Sequence, residues 1–142
     1  MKTKNIIAVG AGPSGLSLSA LASTCSEVSV SLLEGAAHFE WHRGMMLNNA
    51  RMQSNALKDL VTPVDPTNPF GFLSFLKFHG RLYSALVNGL DNVSRKEFEA
   101  YLQWVAKQQT DLSYGEQVRE VNVKEGRLAV RTDTEIRTTK NL

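Results

Sequence analysis

The sequence lacks most features that would set it apart from an ordinary globular domain. Its 142 residues include a single cysteine, Cys25, which excludes an internal disulfide and gives no sign of an oxidising compartment. No apolar run approaches the ~18 residues of a membrane span, and there is no repeat or low-complexity tract. Sixteen basic and fourteen acidic residues leave a net charge of +2. That charge is too small to favour nucleic acid or an anionic membrane as a partner.

The N-terminus has the superficial pattern of a secretory signal, because two lysines precede an apolar run. Three glycines and a proline interrupt that run between positions 10 and 15. Such residues suit a tight turn better than the apolar core of a signal peptide. We therefore expect a cytoplasmic protein.

The N-terminal segment that ends at Glu34 predicts a β-turn-α-β unit. Residues 5–9 have the apolar character of a short buried strand, and residues 16–24 are rich in Leu, Ala and Ser, as in a helix. Residues 28–33 alternate like a second strand. This order implies two parallel strands joined by a right-handed crossover.

The rest of the chain predicts a long insertion, a helix and a small β-meander. Residues 35–92 are irregular and proline-punctuated, but their many large apolar side chains indicate order, with a short helix within 70–78. Ser94 and Glu97 have capping-box spacing and precede an amphipathic helix over 95–109. Three short strands then follow, with a turn at Glu125-Gly126: 112–114, 117–124 and 127–132. We expect one α/β domain of Rossmann type.

A glycine motif occupies the predicted turn between the first strand and the helix. In Gly10-x-Gly12-x-x-Gly15, the first glycine permits the turn, the second admits a pyrophosphate, and the third lets the helix pack on the strand. Pro13 and Ser14 complete the turn at a helix N-terminus, where free N–H groups favour phosphate.

An acidic residue stands where a ribose-binding carboxylate is expected. Glu34 ends the second predicted strand and follows Gly15 at the spacing of about 20 residues that suits hydrogen bonds with ribose hydroxyls. Its charge disfavours a 2′-phosphate. The motif therefore predicts FAD or NAD and does not choose between them.

Segments beyond Glu34 match those of one enzyme family in order along the chain. The matching pieces are Trp41-His42-x-Gly44-Met45, Met52-Gln53, Leu57-Lys58-Asp59-Leu60, Asp65-Pro-Thr-Asn-Pro-Phe70, Ser94-Arg95-x-Glu97-Phe98 and Tyr101-Leu102-x-Trp104. With these pieces the chain resembles the flavin-dependent N-hydroxylating monooxygenases that act on lysine, ornithine and related amines in siderophore biosynthesis. The resemblance extends from Ile6 to about Val123.

The resemblance implies a set of binding residues. The residues expected to bind FAD are Gly10, Gly12, Pro13, Ser14, Gly15, Glu34, Trp41, His42, Gln53 and Val118. Lys58 matches the position that holds the substrate carboxylate. No residue is assigned a catalytic role.

The resemblance also implies the reaction. Family members reduce FAD with NADPH, and the reduced flavin takes up O2 to form a C4a-hydroperoxide. The neutral terminal amine of L-lysine or L-ornithine then attacks the distal oxygen and becomes a hydroxylamine, for hydroxamate siderophores. If Lys58 holds the substrate carboxylate, these amino acids are favoured over diamines. The matching segments are slightly closer to those of the lysine-directed members. The complete enzyme is expected to be a homo-oligomer.

The chain is shorter than such enzymes, and its sequence contains one dinucleotide fingerprint rather than two. We therefore expect residues 1–142 to be an N-terminal Rossmann-like FAD-binding domain, incomplete at the C-terminus, without the NADPH-binding domain and inactive alone. Three alternatives stay open: a non-catalytic FAD-binding remnant, a cadaverine, putrescine or histamine N-monooxygenase, and an NAD-binding dehydrogenase domain.

Two further groups of residues have competing interpretations. Five aromatic side chains could form a wall that excludes water from a flavin, although each alone is more often a core residue: Phe39, Trp41, Phe70, Phe72 and Phe75. The histidines His38, His42 and His79 have no metal-ligand spacing with one another or with Cys25, so no metal site is expected.

Overall fold

The computed structural model describes residues 4–142, which form two compact units. The glycine-turn unit comprises residues up to Glu40 together with Gln109–Leu142, and the insertion unit comprises Trp41–Gln108. The segment that follows the second strand thus has a core of its own. No helix among residues 4–142 has the length and apolar character needed to cross a membrane.

A three-stranded parallel sheet forms the centre of the glycine-turn unit. Strand β1 (Lys4–Val9) pairs in parallel with β2 (Val28–Glu34), and β3 (Leu112–Tyr114) pairs in parallel with the other edge of β2. Helix α1 (Pro13–Ala22) connects the first two strands. The predicted β-turn-α-β unit is confirmed. The helix begins earlier than residue 16, because a proline with its fixed φ suits the first helical turn.

Burial explains why these elements form. In β2, Leu32 and Leu33 are both buried although they point to opposite faces, as expected for a central parallel strand. Helix α1 contributes Leu16 and Ala20, spaced four residues apart on one helical face, and both are fully buried. The sheet and helix therefore share one apolar core.

A β-meander is present, but the prediction was wrong about one of its strands, because residues 112–114 join the parallel sheet as β3. Strands β4 (Val118–Lys124), β5 (Arg127–Thr132) and β6 (Ile136–Thr139) form an antiparallel sheet in that order. Glu125 and Gly126 both have positive φ, of 51° and 71°, as in the two-residue type I′ turn that connects adjacent strands. Strand β6 was not predicted, because a short segment with one large apolar side chain gives little periodic signal.

Four helical segments make up the regular structure described in the insertion unit. They are a 3₁₀ turn (Arg43–Met45), α2 (Phe72–Phe78), α3 (Leu82–Asn88) and α4 (Arg95–Ala106). The predicted α2 and α4 are confirmed, and the Ser94 hydroxyl caps α4 by accepting the Glu97 N–H at 3.1 Å. The Glu97 carboxylate pairs with Arg81.

Aromatic side chains of α2 and α4 form the core of the insertion unit. Phe72 and Phe75 are buried and pack against Tyr101, with ring centroids 5.3 and 5.8 Å from it. Phe98 adds a further ring 5.4 Å from Tyr101. Phe72 and Phe75 are therefore core residues and not a flavin-facing wall, because their faces are occupied by one another and by α4.

Asp59 orders the loop that precedes α2. Its carboxylate accepts the backbone N–H groups of Val61 (2.9 Å) and Thr62 (2.7 Å) and the Thr62 hydroxyl (2.8 Å). It also accepts the N–H of Phe72 at 2.6 Å, an N–H that the first turn of α2 leaves unpaired. One side chain therefore closes a local turn and joins it to a helix 13 residues away.

Candidate functional site

The glycine turn combines close packing with open space. Gly10 has φ +93°, a conformation that favours glycine, and its N–H donates to the Leu33 carbonyl at 2.7 Å. A Cβ on Gly15 would lie 2.2 Å from the Gly10 carbonyl oxygen, so α1 packs too closely on the glycine turn for any side chain there. A Cβ on Gly12 would meet nothing within 4 Å. The backbone at Gly12 is thus open to a ligand.

The carboxylate of Glu34 is held in place by the backbone on both sides of it. One oxygen accepts the Ala11 N–H of the glycine turn at 2.8 Å, and the other accepts the Ala36 N–H at 2.9 Å. A carboxylate oxygen can accept more than one hydrogen bond. Each oxygen therefore keeps capacity for a ligand hydroxyl while its orientation is fixed.

The end of β3 adds a phenol beside this carboxylate. Tyr114 is the register partner of Glu34. Partial burial, and secondarily the charge of Glu34, raise the pKa of the Tyr114 hydroxyl, which keeps it a neutral donor. Val118 follows at the start of β4, where it packs against the buried side chains of Ile7, Leu33 and Val130.

The predicted residues Trp41 and His42 are stacked on each other within the insertion unit. Their ring centroids lie 4.7 Å apart at an interplanar angle of 18°, and His42 adopts the left-handed conformation (φ 47°, ψ 47°). The Arg95 guanidinium lies 4.8 Å above the Trp41 ring. Trp41 is 7% exposed, and its indole Nε1 has no hydrogen-bond partner among the described residues.

Gln53 and Lys58 lie on a loop that the backbone anchors. Beside Gln53, the Met52 N–H donates to the Val93 carbonyl at 2.8 Å; Lys58 itself closes a turn by donating its N–H to Asn55 O at 3.0 Å. Both side chains are exposed, and neither has a hydrogen-bond or ionic partner within residues 4–142. The loop thus holds their backbones and leaves an amide and an ammonium group available.

The residues present fit an adenine dinucleotide such as FAD. Gly12 leaves room for a pyrophosphate, Pro13 and Ser14 form the first turn of α1, and Glu34 has acceptor capacity for ribose hydroxyls. Within the part of the chain that the structure describes, no group of three or more His, Cys, Asp or Glu side chains could hold a metal ion.

The structure brings together two sets of predicted site residues, the glycine turn with Glu34 and Trp41 with His42. Sequence reasoning did not anticipate three contacts: the Ala11 N–H on Glu34, Tyr114 next to Glu34, and Arg95 on Trp41 and His42. A backbone donor leaves no sequence signal. Tyr114 could have been noted as the residue ending a strand next to Glu34, whereas Arg95 was absorbed into the capping pattern of α4.

Relatives of known sequence share most of this chain. A model of the family described as L-lysine 6-monooxygenase/L-ornithine 5-monooxygenase matches residues 2–142. A putrescine N-hydroxylase of Shewanella oneidensis is 38% identical over 122 residues, which are 86% of this chain and 24% of that protein. An L-lysine N6-monooxygenase of Escherichia coli is 38% identical over 121 residues, 85% of this chain and 28% of that protein. The chain spans about a quarter of the length of these relatives.

Solved structures share the fold. The FAD-bound cadaverine monooxygenase DfoA of Erwinia amylovora superposes with a TM-score of 0.88 at 30% identity, covering 98% of this chain and 34% of that one. The ornithine N-hydroxylase KtzI of Kutzneria, with reduced FAD, NADP+ and L-ornithine, gives a TM-score of 0.83 at 34% identity, covering 96% and 35%. The predicted α/β fold of Rossmann type is thereby confirmed. Because the family model matches nearly every residue, this chain belongs to the L-lysine 6-monooxygenase/L-ornithine 5-monooxygenase family.

Proposed function

We propose that this chain is the FAD-binding part of an NADPH- and O2-dependent amine N-monooxygenase. The complete enzyme would hydroxylate the terminal amine of L-lysine or L-ornithine for hydroxamate siderophore biosynthesis. The observation that carries the proposal is the glycine turn with Glu34 hydrogen-bonded to its Ala11 N–H at 2.8 Å. When bound, FAD would supply the redox chemistry that transfers an oxygen atom from O2.

Within the glycine-turn unit, each group has a defined task toward FAD. The open backbone at Gly12 and the N-terminus of α1 would receive the pyrophosphate, because free N–H groups and the positive end of the helix dipole favour an anion. Glu34 would accept the ribose hydroxyls. Its preset orientation lowers the ordering cost of binding. The resemblance adds Val118 as a backbone contact.

Within the insertion unit, three predicted FAD contacts have free polar groups. The Trp41 Nε1–H is a donor without a partner among the described residues, and the Gln53 amide can donate and accept at once. His42 offers the ring nitrogen that does not face Arg95. These features support the assignments that the family resemblance gives.

Lys58 supports an amino acid as the substrate. Its exposed ammonium group has no partner within residues 4–142, and a point charge on a flexible stem suits a carboxylate. L-lysine and L-ornithine carry that carboxylate, whereas putrescine and cadaverine, on which some relatives act by name, do not. A diamine N-monooxygenase is therefore the second candidate, favoured by those relatives. A homo-oligomeric state and a cytoplasmic location stay predictions.

The first test measures FAD retention by the purified chain. After incubation with FAD and desalting, the wild type is expected to keep flavin absorbance. Glu34→Gln should bind roughly 10- to 100-fold more weakly, because hydrogen bonds to a charged group contribute about 1.5–3 kcal/mol each. Glu27→Gln, the same change before β2, is the matched control and should bind as the wild type does. A folded wild-type chain that binds NAD and not FAD would contradict the proposal.

A second test separates amino acids from diamines in the complete enzyme. Lys58→Met should raise the KM for L-lysine or L-ornithine by about tenfold or more, through loss of one charge-assisted contact, and leave the KM for cadaverine unchanged. Equal effects on both substrates would remove the carboxylate role from Lys58. The 142-residue chain alone is expected to form no hydroxylamine with NADPH, and its doing so would show that it is catalytic without further segments.

A further inference from the structure

Arg95 lies in a segment that resembles the family, but the proposed function gives it no role. It is the first residue of α4, where the Ser94 hydroxyl caps the helix and the Arg95 backbone N–H donates to the Ala50 carbonyl at 2.9 Å. Its backbone is therefore fixed. Its side chain leaves the helix toward Trp41 and His42, so that two of the predicted FAD contacts meet one guanidinium group.

The hydrogen bond between Arg95 and His42 fixes where the histidine proton resides. Arg95 Nη2 lies 2.8 Å from His42 Nδ1. A guanidinium group has N–H donors and no acceptor, so His42 Nδ1 must be the acceptor in this pair. A neutral His42 then carries its proton on Nε2. Because His42 is exposed, that N–H is available as a donor to a ligand.

Stacking holds the same ring in orientation. Trp41 is packed between neighbours, with Phe98 at a centroid distance of 5.6 Å, His42 at 4.7 Å and the Arg95 guanidinium at 4.8 Å. The guanidinium group therefore lies over the Trp41 ring and donates an N–H to the His42 ring. Its Nε is buried and has no partner among the described residues, so the cation is held by these two contacts.

We propose that Arg95 is a positioning residue that holds His42 as the Nε2–H tautomer, stacked on Trp41, so that His42 donates a hydrogen bond to an acceptor atom of the bound flavin nucleotide. The inference rests on the proposed function for the identity of the ligand. The tautomer itself depends only on residues of this chain.

The chain offers an internal reference for measuring the tautomer. His79 Nδ1 lies 2.9 Å from the Phe75 carbonyl oxygen, which can only accept, so neutral His79 must carry its proton on Nδ1. Long-range ¹H–¹⁵N spectra distinguish the two ring nitrogens of each histidine. Recorded at about pH 8.5, well above the usual histidine pKa, they should show opposite tautomers for His42 and His79. Spectra of His42→Asn and His79→Asn assign the signals of these two histidines, and the signals that persist in both belong to His38.

Substitution of Arg95 gives the decisive comparison. Arg95→Met keeps an unbranched side chain over Trp41 but removes every donor, so the His42 nitrogen shifts should move toward the average of two exchanging tautomers while those of His79 stay in place. Arg95→Lys keeps a donor and should retain most of the wild-type His42 pattern. Lys96→Met, the same loss of charge one residue along α4, should change neither histidine.

FAD binding is then measured with four proteins: the wild type, Arg95→Met, Arg95→Lys and Lys96→Met. FAD should shift the His42 Nε2 signal of the wild type, and Arg95→Met should bind FAD about tenfold more weakly, with Arg95→Lys recovering most of the loss. A wild-type His42 protonated on Nδ1, or an unchanged His42 spectrum in folded Arg95→Met, overturns the positioning role. FAD bound without effect on His42 overturns the donor role alone. FAD binding lost in every protein is a failure of the proposed function, and the tautomer comparison still decides the role of Arg95.

Discussion

Gly15→Ala should disrupt the glycine-turn unit, whereas Gly12→Ala should leave it folded. The added Cβ at Gly15 would lie 2.2 Å from the Gly10 carbonyl oxygen and 3.2 Å from Leu32 Cδ2. Comfortable non-bonded contacts are about 3.5–4.0 Å, so α1 must move by roughly 1 Å. Overpacking usually costs about 1–3 kcal/mol, and a clash with backbone belongs at the upper end. We expect a loss of about 3 kcal/mol in the free energy of unfolding.

The assay has to report on the correct unit. Both tryptophans, Trp41 and Trp104, lie in the insertion unit, so tryptophan fluorescence would not monitor the change directly. Hydrogen exchange of the buried amides of β2, such as those of Leu32 and Leu33, reports on the glycine-turn unit itself. At a urea slope near 1.5 kcal/mol/M, a loss of about 3 kcal/mol lowers the midpoint by about 2 M.

Gly12→Ala is the matched control because its Cβ meets nothing within 4 Å and its φ of −69° suits alanine. It should change the free energy of unfolding by less than about 1 kcal/mol and yet weaken FAD binding by roughly tenfold, by filling the space left for the pyrophosphate. Unchanged β2 protection in Gly15→Ala, or equal destabilisation by both substitutions, would refute the reasoning.

Two further substitutions test the insertion unit, with urea denaturation followed by tryptophan fluorescence. Asp59→Asn replaces one acceptor oxygen by an NH2 group, which leaves a donor such as the Phe72 N–H without its acceptor, and should cost about 1.5–3 kcal/mol. Asp65→Asn, the same change in an exposed turn, should cost less. Tyr101→Phe leaves the half-buried Phe70 carbonyl without its donor and should cost about 1–3 kcal/mol at neutral pH. Burial, and then the charge of Asp59, raise the pKa of Tyr101 above its usual 10.0. The folded state therefore keeps a proton that the unfolded state loses, so the free energy of unfolding of the wild type should fall as pH rises above about 10. If the stability of Tyr101→Phe falls as steeply over this range, a group other than Tyr101 causes the pH dependence.

Sequence reasoning succeeded where the determining contacts are local. The βαβ start depends on glycine spacing and on apolar periodicity within the segment that ends at Glu34, and α4 depends on a cap and a stripe within one helix. The position of Glu34 at the end of β2 could be predicted for the same reason, from the short chain segment that separates it from the last glycine.

The remaining elements depend on contacts that sequence spacing does not encode. Helix α3 has no buried residue, and five of its seven residues are apolar, so no one-sided apolar stripe distinguishes it in the sequence. Phe72 and Phe75 were ambiguous because Tyr101, which fixes them in the core, lies on a separate helix, α4, beyond α3 in the chain. Arg95 and His42 are 53 residues apart, and nothing near either one indicates the other.

The glycine-turn unit is built from two separate segments of the chain, and this has a consequence for its synthesis. Leu32 of β2 pairs with Leu112 of β3, 80 positions later, and the insertion unit is encoded between them. At about 5–20 residues per second, β2 emerges roughly 4–16 s before its second partner strand. The insertion unit can therefore fold while β2 still lacks its partner strand β3. A ribosome pause in this interval would lengthen the time for which β2 lacks β3, and a chaperone would protect the exposed edge of β2 during that time.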